Sequence, residues 1–361
     1  FLSDRVEARV LLTNHVTDGG TDDQPDDAAD TLGFYGSESH ATVERRQAEG
    51  RLIAHLSGGT AVTLGAQIQG QRQRGFSLFL SQFGALSSDD DHRRESHAYY
   101  AQAQTDVLGA LAINGGVRLE DNETFGIHWT VRGGIVYRPL AGLRVRAAAG
   151  TGFKEPTFFE NFATGFARGN PDLEPERSVS AEVGVEHTVA GGRGLLAATA
   201  FAQRFRDLIQ YTFSPPGPTD PNFFNVAIAD ASGMEFEGRL AATSMVAMSA
   251  SYTYLRTEVI DEGFDTGPGA TFVPGKRLLR RPTHSGAVGV DLRPVDRARV
   301  HAQGRYVGDR DDRDFAAFPA LPVVLGAYAT FDLAGEFDIV PGTPSATLTF
   351  RLENLSGADV H

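Results

Sequence analysis

What most constrains this chain is an alternation of period two, held over runs longer than a globular strand needs. From Ser178 to His187 one side reads Val179, Ala181, Val183, Val185, and the other Ser178, Ser180, Glu182, Gly184, Glu186. From Gly194 to Gln210, Leu195, Ala197, Thr199, Phe201 and Phe205 share one parity, while Arg204 and Arg206 hold the other. Ala98–Val107, Gly142–Phe153, Val246–Tyr254, Arg299–Tyr306 and Ala346–Leu352 behave alike. Successive strand side chains point to opposite faces, so the pattern means strands with one apolar and one polar face. No window reads as an amphipathic helix. Many runs exceed about ten residues, against about 5–6 for a typical globular strand and about 9–11 for a membrane-crossing one.

The connections alternate as well. Ser57–Thr60, Leu140–Gly142, Gly191–Arg193 and Arg293–Asp296 read as tight turns. Roughly 17–35, 77–95, 155–176, 214–230, 261–280 and 309–322 read as long polar loops. Long loops at one rim and tight turns at the other suit a membrane β-barrel. A soluble β-sandwich shows the same alternation, so strand length and loop asymmetry decide between them. Tyr99, Tyr100, Trp129, Tyr137, Tyr211, Tyr252, Tyr254 and Tyr306 lie near expected strand ends, where rings can sit at the headgroup level.

Composition removes several function classes. The 361 residues include no cysteine, which excludes disulfides, thiolate metal sites and thiol catalysis. A net charge of -13 lacks the basic footprint of a nucleic-acid binder. No run of about 18 apolar residues marks a membrane helix, a test that does not bear on barrels. Enzyme motifs come up short. Gly150-Thr151-Gly152 lacks the third glycine of a dinucleotide fingerprint, and no histidine pair has the spacing of a helical metal site. The acidic stretch Asp18–Asp30 fails the calcium-loop pattern, with Asp23 and Ala29 where glycine and glutamate belong. That stretch, and the Asp89–Asp91 and Asp309–Asp314 runs, read as solvated faces. No catalytic residue, metal site or cofactor is assigned.

One stretch discriminates further. Gly150–Phe162 reads GTGFKEPTFFENF, Gly169–Ser178 reads GNPDLEPERS, and a strand returns through Glu182–Glu186. Pro156 removes a ladder donor at a strand end, and Asn170-Pro171 and Glu174-Pro175 hold the chain extended as it re-enters the sheet. Tyr100-Ala101-Gln102, Gly116–Asn122, Gly233–Gly238 (GMEFEG), Leu278–His284 (LLRRPTH) and Arg351–Leu355 (RLENL) follow in order. Together these resemble the barrel of TonB-dependent outer-membrane receptors, with a looser resemblance to the cobalamin-receptor-like members.

The resemblance implies an all-β, antiparallel transmembrane β-barrel, with about 15 strands here of about 22. Residues 1–361 would then be a partial barrel domain, without the N-terminal plug, its coupling box or the last strand. It implies a transporter rather than an enzyme, taking up a bulky nutrient such as cobalamin or a ferric siderophore. The implied location is the outer membrane, and the implied partners are its lipid and the inner-membrane TonB complex. A plugless porin or adhesive barrel is the alternative, and a soluble carbohydrate-binding β protein a third. Residues 1–361 alone are expected not to transport, since an open sheet edge is untenable in lipid.

For ligand contact, the loop aromatics Phe158, Phe159, Phe162, Phe166, Phe223 and Phe224 are the candidates, set against simple packing of loops on one another. Val179, Val183, Val185, Phe201 and Phe205 are expected to face lipid, and Glu182, Glu186, Arg204 and Arg206 the lumen. Those charges turned into the lipid band would cost about 2–4 kcal/mol for each basic residue at mid-depth, and finding them outward would overturn the membrane reading, not merely its details.

Overall fold

A computed structural model describes residues 5–27, 30, 34–165, 167–212, 215–217, 219–261, 270–314, 320–340 and 346–360. The strands are β1 (Val6–Asp23), β2 (Phe34–His55), β3 (Ala61–Ser81), β4 (Gly84–Val107), β5 (Leu111–Asn122), β6 (Gly126–Leu140) and β7 (Leu143–Lys154). After a one-turn helix α1 (Phe158–Phe162) come β8 (Glu176–Val189), β9 (Gly194–Tyr211), β10 (Phe223–Ala241), β11 (Val246–Asp261), β12 (His284–Val295) and β13 (Ala298–Val307). The last are β14 (Arg310–Asp314), β15 (Leu321–Leu325), β16 (Tyr328–Val340) and β17 (Ala346–Leu352). Fifteen strands hydrogen-bond in chain order as one sheet, and β14 with β15 forms a separate hairpin. The sequence-based expectation of antiparallel next-neighbour strands with almost no helix holds.

Two expected loops contain strand, 17–35 in part and 77–95 almost throughout. β1 runs to Asp23 and β2 starts at Phe34, while β3 and β4 meet at a tight turn where Gly84 takes φ 114°. Residues 77–95, expected to be loop, therefore form most of a hairpin. The ladder continues there, with Phe76 opposite Asp89 and Arg72 opposite Arg93, but polar residues occupy both faces. Alternation is a contrast between faces, and it disappears where both faces are wet although the backbone pairing does not.

The described residues divide into two units. The first comprises Phe1–Gly133, Gly150–Ser178 and Phe205–Ala227. Val10, Leu12, Leu64, Ile68, Tyr99, Val117 and Trp129 are exposed on one face of it. The other face carries Gln71, Arg94, Gln102, Arg118 and Glu120, as strand parity requires. Tyr100, read as an interfacial ring, belongs to this polar face. Its hydroxyl donates to Glu49 Oε1 at 2.5 Å, and its ring lies over Gly65, where any Cβ would overlap it. Tyr211 also departs from that reading, packing edge-on against Phe223 at 5.2 Å.

The second unit comprises Gly134–Ala149, Val179–Arg204 and Ile228–His361. Phe236, Tyr252, Val288, Tyr306, Phe331 and Phe350 are exposed on one face, and Glu237, Ser251, Gln303 and Arg351 take the opposite parity. Glycines recur beside these rings. The Phe350 ring lies over Gly335, and a Cβ on Gly304 would come within 3.1 Å of Phe331. Val179, Val183 and Val185 are exposed on one parity, as expected, and Glu186 takes the other, where it pairs with Arg144.

Strand β9 is reversed from expectation. Thr199 Oγ1 accepts from Arg146 at 3.0 Å on the polar face, and a Cβ on Gly233 would sit 2.8 Å from the Phe201 ring. Phe201 and Phe205 therefore share the polar parity, while Arg204 and Arg206 share the parity of exposed Leu196. Arg204 is not left bare, since it makes a two-point contact with Asp230, at 2.7 and 2.6 Å. The apolar side of β9 is Leu196, Ala198, Ala200 and Ala202, and Arg204 ends it, about where a band of roughly 9–11 residues stops. Aromatic size misled the reading, because Phe201 covers a glycine on the polar side.

Candidate functional site

The polar face of the first unit holds a cavity of about 1010 Å³, lined by β2–β6 and by residues 151–158. Its walls are built by register. Arg45 lies opposite Gln71, and Gln71 opposite Arg94, so two cations flank a glutamine across three strands. Arg118 follows on β5, giving Nε and Nη2 to Glu120 Oε2 and Nη1 to Gln67 Oε1 at 3.3 Å. On β6, Arg132 Nη2 donates to Gln102 Oε1 at 3.1 Å.

Arg94 is the centre of the site, only 6% exposed. Nη1 donates to the Pro156 carbonyl at 2.8 Å and Nη2 to Gln71 Oε1 at 2.9 Å. Nη2 also lies 2.7 Å from Glu155 Oε2, an ion-pair contact outside hydrogen-bond alignment, so that oxygen and Arg94 Nε stay buried without a hydrogen bond. The guanidinium packs over the Phe158 ring, 4.7 Å from its centroid. Burial pushes the Glu155 carboxyl above its ordinary range. Arg94 opposes that shift, Glu120 adds to it and Arg45 works against it.

The loop that roofs this region folds on itself. Thr157 and Glu160 form a reciprocal cap on α1, with Glu160 N donating to Thr157 Oγ1 at 3.1 Å and Thr157 N to Glu160 Oε2 at 2.6 Å. Gly169 lies against the backbone of Asn161–Ala163, where a Cβ would approach to 2.5 Å, so only glycine fits the start of the GNP motif. Asparagine carboxamides then fasten the loop to β9 and β10. Asn225 accepts from Glu174 N at 2.7 Å and donates to the carbonyls of Glu174 and Asp207. Asn222 joins Arg168 N to the Thr212 carbonyl, and Asn170 donates to the Phe223 carbonyl.

The candidate aromatics separate under this geometry. Phe158 is buried beneath Arg94, and Phe162 stacks on His92 with centroids 4.5 Å apart. Phe223 is buried with Ala167 and Leu173, and Phe224 is half-buried. Phe159 is exposed, its ring edge-on to Phe223. Phe166 lies outside the described residues. Of the five candidates among the described residues, Phe158 alone lines the cavity. The cationic wall was missed because Arg94 closely follows the Asp89–Asp91 run, which with its neighbouring arginines reads as a solvated face. The available signal was charge at polar-parity positions within strands.

A polar cavity on one sheet face, an exposed apolar opposite face and a looped roof carrying the FKEPT and GNPDLEPE segments agree with the family comparison. The family model described as "TonB dependent receptor-like, beta-barrel" matches residues 7–355. The chain belongs to that family. The Vitamin B12 transporter BtuB of Photobacterium profundum is 26% identical over 339 residues, covering 89% of this chain and 51% of the relative. BtuB of Vibrio cholerae is 26% identical over 273 residues, covering 74% of this chain and 40% of its own length. Among solved structures, the ferric enterobactin receptor PfeA of Pseudomonas aeruginosa has a TM-score of 0.74 at 15% identity, covering 98% of this chain and 54% of that one. The ferric yersiniabactin uptake receptor FyuA of Yersinia pestis gives 0.73 at 16%, with 98% and 54% covered. These two likenesses show the fold. The chain spans about half the length of the curated relatives it matches. Those relatives are transporters, not enzymes.

Proposed function

We propose that this receptor barrel is part of a longer outer-membrane transporter that takes up a bulky nutrient, cobalamin or a ferric siderophore, with energy from the inner-membrane TonB complex. The cavity of about 1010 Å³ carries this reading, being at the upper end of small-molecule sites and lined by convergent polar groups. The exposed Val, Leu, Phe and Tyr faces support a lipid surround, since a water-facing surface would not expose apolar rows of this extent. The remaining length, by the relatives' proportions, holds the plug, the coupling segment and further strands. Among the described residues β1 and β17 each hydrogen-bond to one neighbouring strand, and in lipid their other edges require partners, which those strands would supply. Phe159, the exposed candidate ring, is the loop aromatic proposed to meet ligand first.

The deciding experiment is uptake by cells carrying the complete gene in a receptor-deleted host, using labelled cyanocobalamin and labelled ferric siderophores. Accumulation that requires the proton gradient supports the reading. Passive, non-saturable entry would instead indicate a porin.

A further inference from the structure

Resting on the outer-membrane placement in that reading, we propose that the outward face of the first unit binds a phosphorylated lipid. Its phosphates would meet the guanidinium groups of Arg72, Arg74 and Arg93, and its acyl chains the apolar rows beneath them.

The site follows from register. On β4 the odd positions 91–99 are exposed while Arg94, Ser96 and Ala98 are buried, so Arg93 shares the outward face with Tyr99. Opposite Arg93 on β3 lies Arg72, and Arg74 lies opposite Asp91. Arg46 on β2 completes the group, opposite Gly70. Like charges directly opposite across an antiparallel pair are destabilising, so Arg72 facing Arg93 is a cost built into the pairing.

Internal carboxylates answer only part of this charge. Arg46 Nε donates to Glu44 Oε1 at 2.8 Å, and Arg72 binds Asp91 through Nε at 2.7 Å and through Nη2. Arg74 and Arg93 are exposed and make no hydrogen bond or ion pair among the described residues. Glu44 acts on Arg72 as well, which leaves Arg74 and Arg93 to share Asp91 with it. Glu95 and Asp121 bound the patch on its β5 side.

The surface below the cations favours a lipid over a free anion. Gly70 leaves open space where a Cβ would stand, and past it Ala48 and Ile68, Gly50 and Ala66, then Leu52 and Leu64 form outward rows. Arg72 lies four residues beyond Ile68, about 13 Å at about 3.3 Å per residue, and its long side chain shortens the gap to the apolar edge. His92, next to Arg93, stacks on Phe162 of the roof, so this end of the strands is the rim of the long loops. A phosphate ester takes a guanidinium fork at two points and relieves the Arg72–Arg93 repulsion, whereas a neutral lipid does neither.

The test titrates the complete receptor in detergent with radiolabelled lipid A and with its dephosphorylated form, at low and high salt. Inorganic phosphate serves as competitor. Lipid A is expected to bind saturably and to weaken with salt, with the dephosphorylated form bound far less and inorganic phosphate unable to displace it. Arg74→Gln and Arg93→Gln should each weaken lipid A binding by about tenfold, the worth of one charged hydrogen bond. Arg9→Gln, on the opposite strand parity, should leave it unchanged. Equal binding of the two lipid forms, indifference to both variants, or displacement by equimolar inorganic phosphate would overturn the inference while leaving the transporter reading intact. Loss of energy-dependent uptake with lipid A binding unchanged would remove the transporter reading and leave this site standing. A receptor absent from the outer-membrane fraction would remove both.

Discussion

The two units secure their long connections by different chemistry. In the first, carboxamides of Asn161, Asn170, Asn222 and Asn225 bond to backbone groups, and Phe223, Leu173 and Ala167 close a small apolar cluster. In the second, arginines meet aspartates. Arg277 reaches Asp309 at 3.2 Å and Asp311 at 2.8 Å, and Arg280 reaches Asp312 at 3.0 Å. Arg280 takes φ 58° with its N–H bonded to the Asp311 carbonyl, so the ion pairs and the backbone turn are made together. A neutral amide that satisfies backbone groups works at any ionic strength and leaves orphaned donors if lost. Exposed ion pairs are individually weak and screened by salt. The first design suits a roof that must hold its shape over a cavity, and the second suits a peripheral tie.

The largest effect expected tests what the units share. Ile68→Arg in the first and Val288→Arg in the second each place a cation on an apolar face, at a cost of about 2–4 kcal/mol at mid-depth in lipid. The readout is the yield of folded barrel in vesicles. If only one variant fails to assemble, the two faces do not share a membrane. Gln303→Arg, of the opposite parity, should assemble normally.

Next comes Asn225→Ala, which removes three hydrogen bonds and leaves the Glu174 N–H without its acceptor. About 2–3 kcal/mol of local stability should go. Limited proteolysis should then cut within 163–175 while the second unit stays resistant. Cleavage unchanged there would show that the apolar cluster alone holds the roof.

Arg277→Ala should cost about 1 kcal/mol, since its pairs with Asp309 and Asp311 are half-buried and still reach solvent. At about 1 M salt, where the screening length falls to about 3 Å, wild type should resemble this variant in protease sensitivity around 270–281, with 155–175 unaffected. Equal salt sensitivity of both regions would erase the contrast.

The smallest effect is a pH trend. Glu155 has a folded pKa raised chiefly by burial, so the folded state holds its proton more tightly than the unfolded chain does. Its contribution is most favourable below the unfolded carboxylate range. It is lost as pH rises through the raised folded value. Proteolytic protection of the 155–175 loop should therefore ease over that interval, and Glu155→Gln should flatten the trend. An unchanged slope in the variant would place its origin in another group.

Alternation by itself determined the β class and most of the faces, because a strand's side-chain period follows from its backbone alone, while the antiparallel order rested on the tight turns and the family resemblance. Pro156 follows the end of β7 at Lys154, as read, whereas the contact that requires glycine at 169 shows only in the structure. Other features needed the tertiary structure. The hairpin over 77–95 was invisible because its two faces are equally polar. Phe201 and Arg204 exchanged faces because a ring found a glycine on the neighbouring strand, and a cation found Asp230 at the end of the apolar row. The site lay beyond the reach of any single segment. Arg45, Gln71 and Arg94 are far apart in sequence and meet only through the register of three strands. Register depends on pairing along whole strands, so no local pattern states which cation faces which carboxylate.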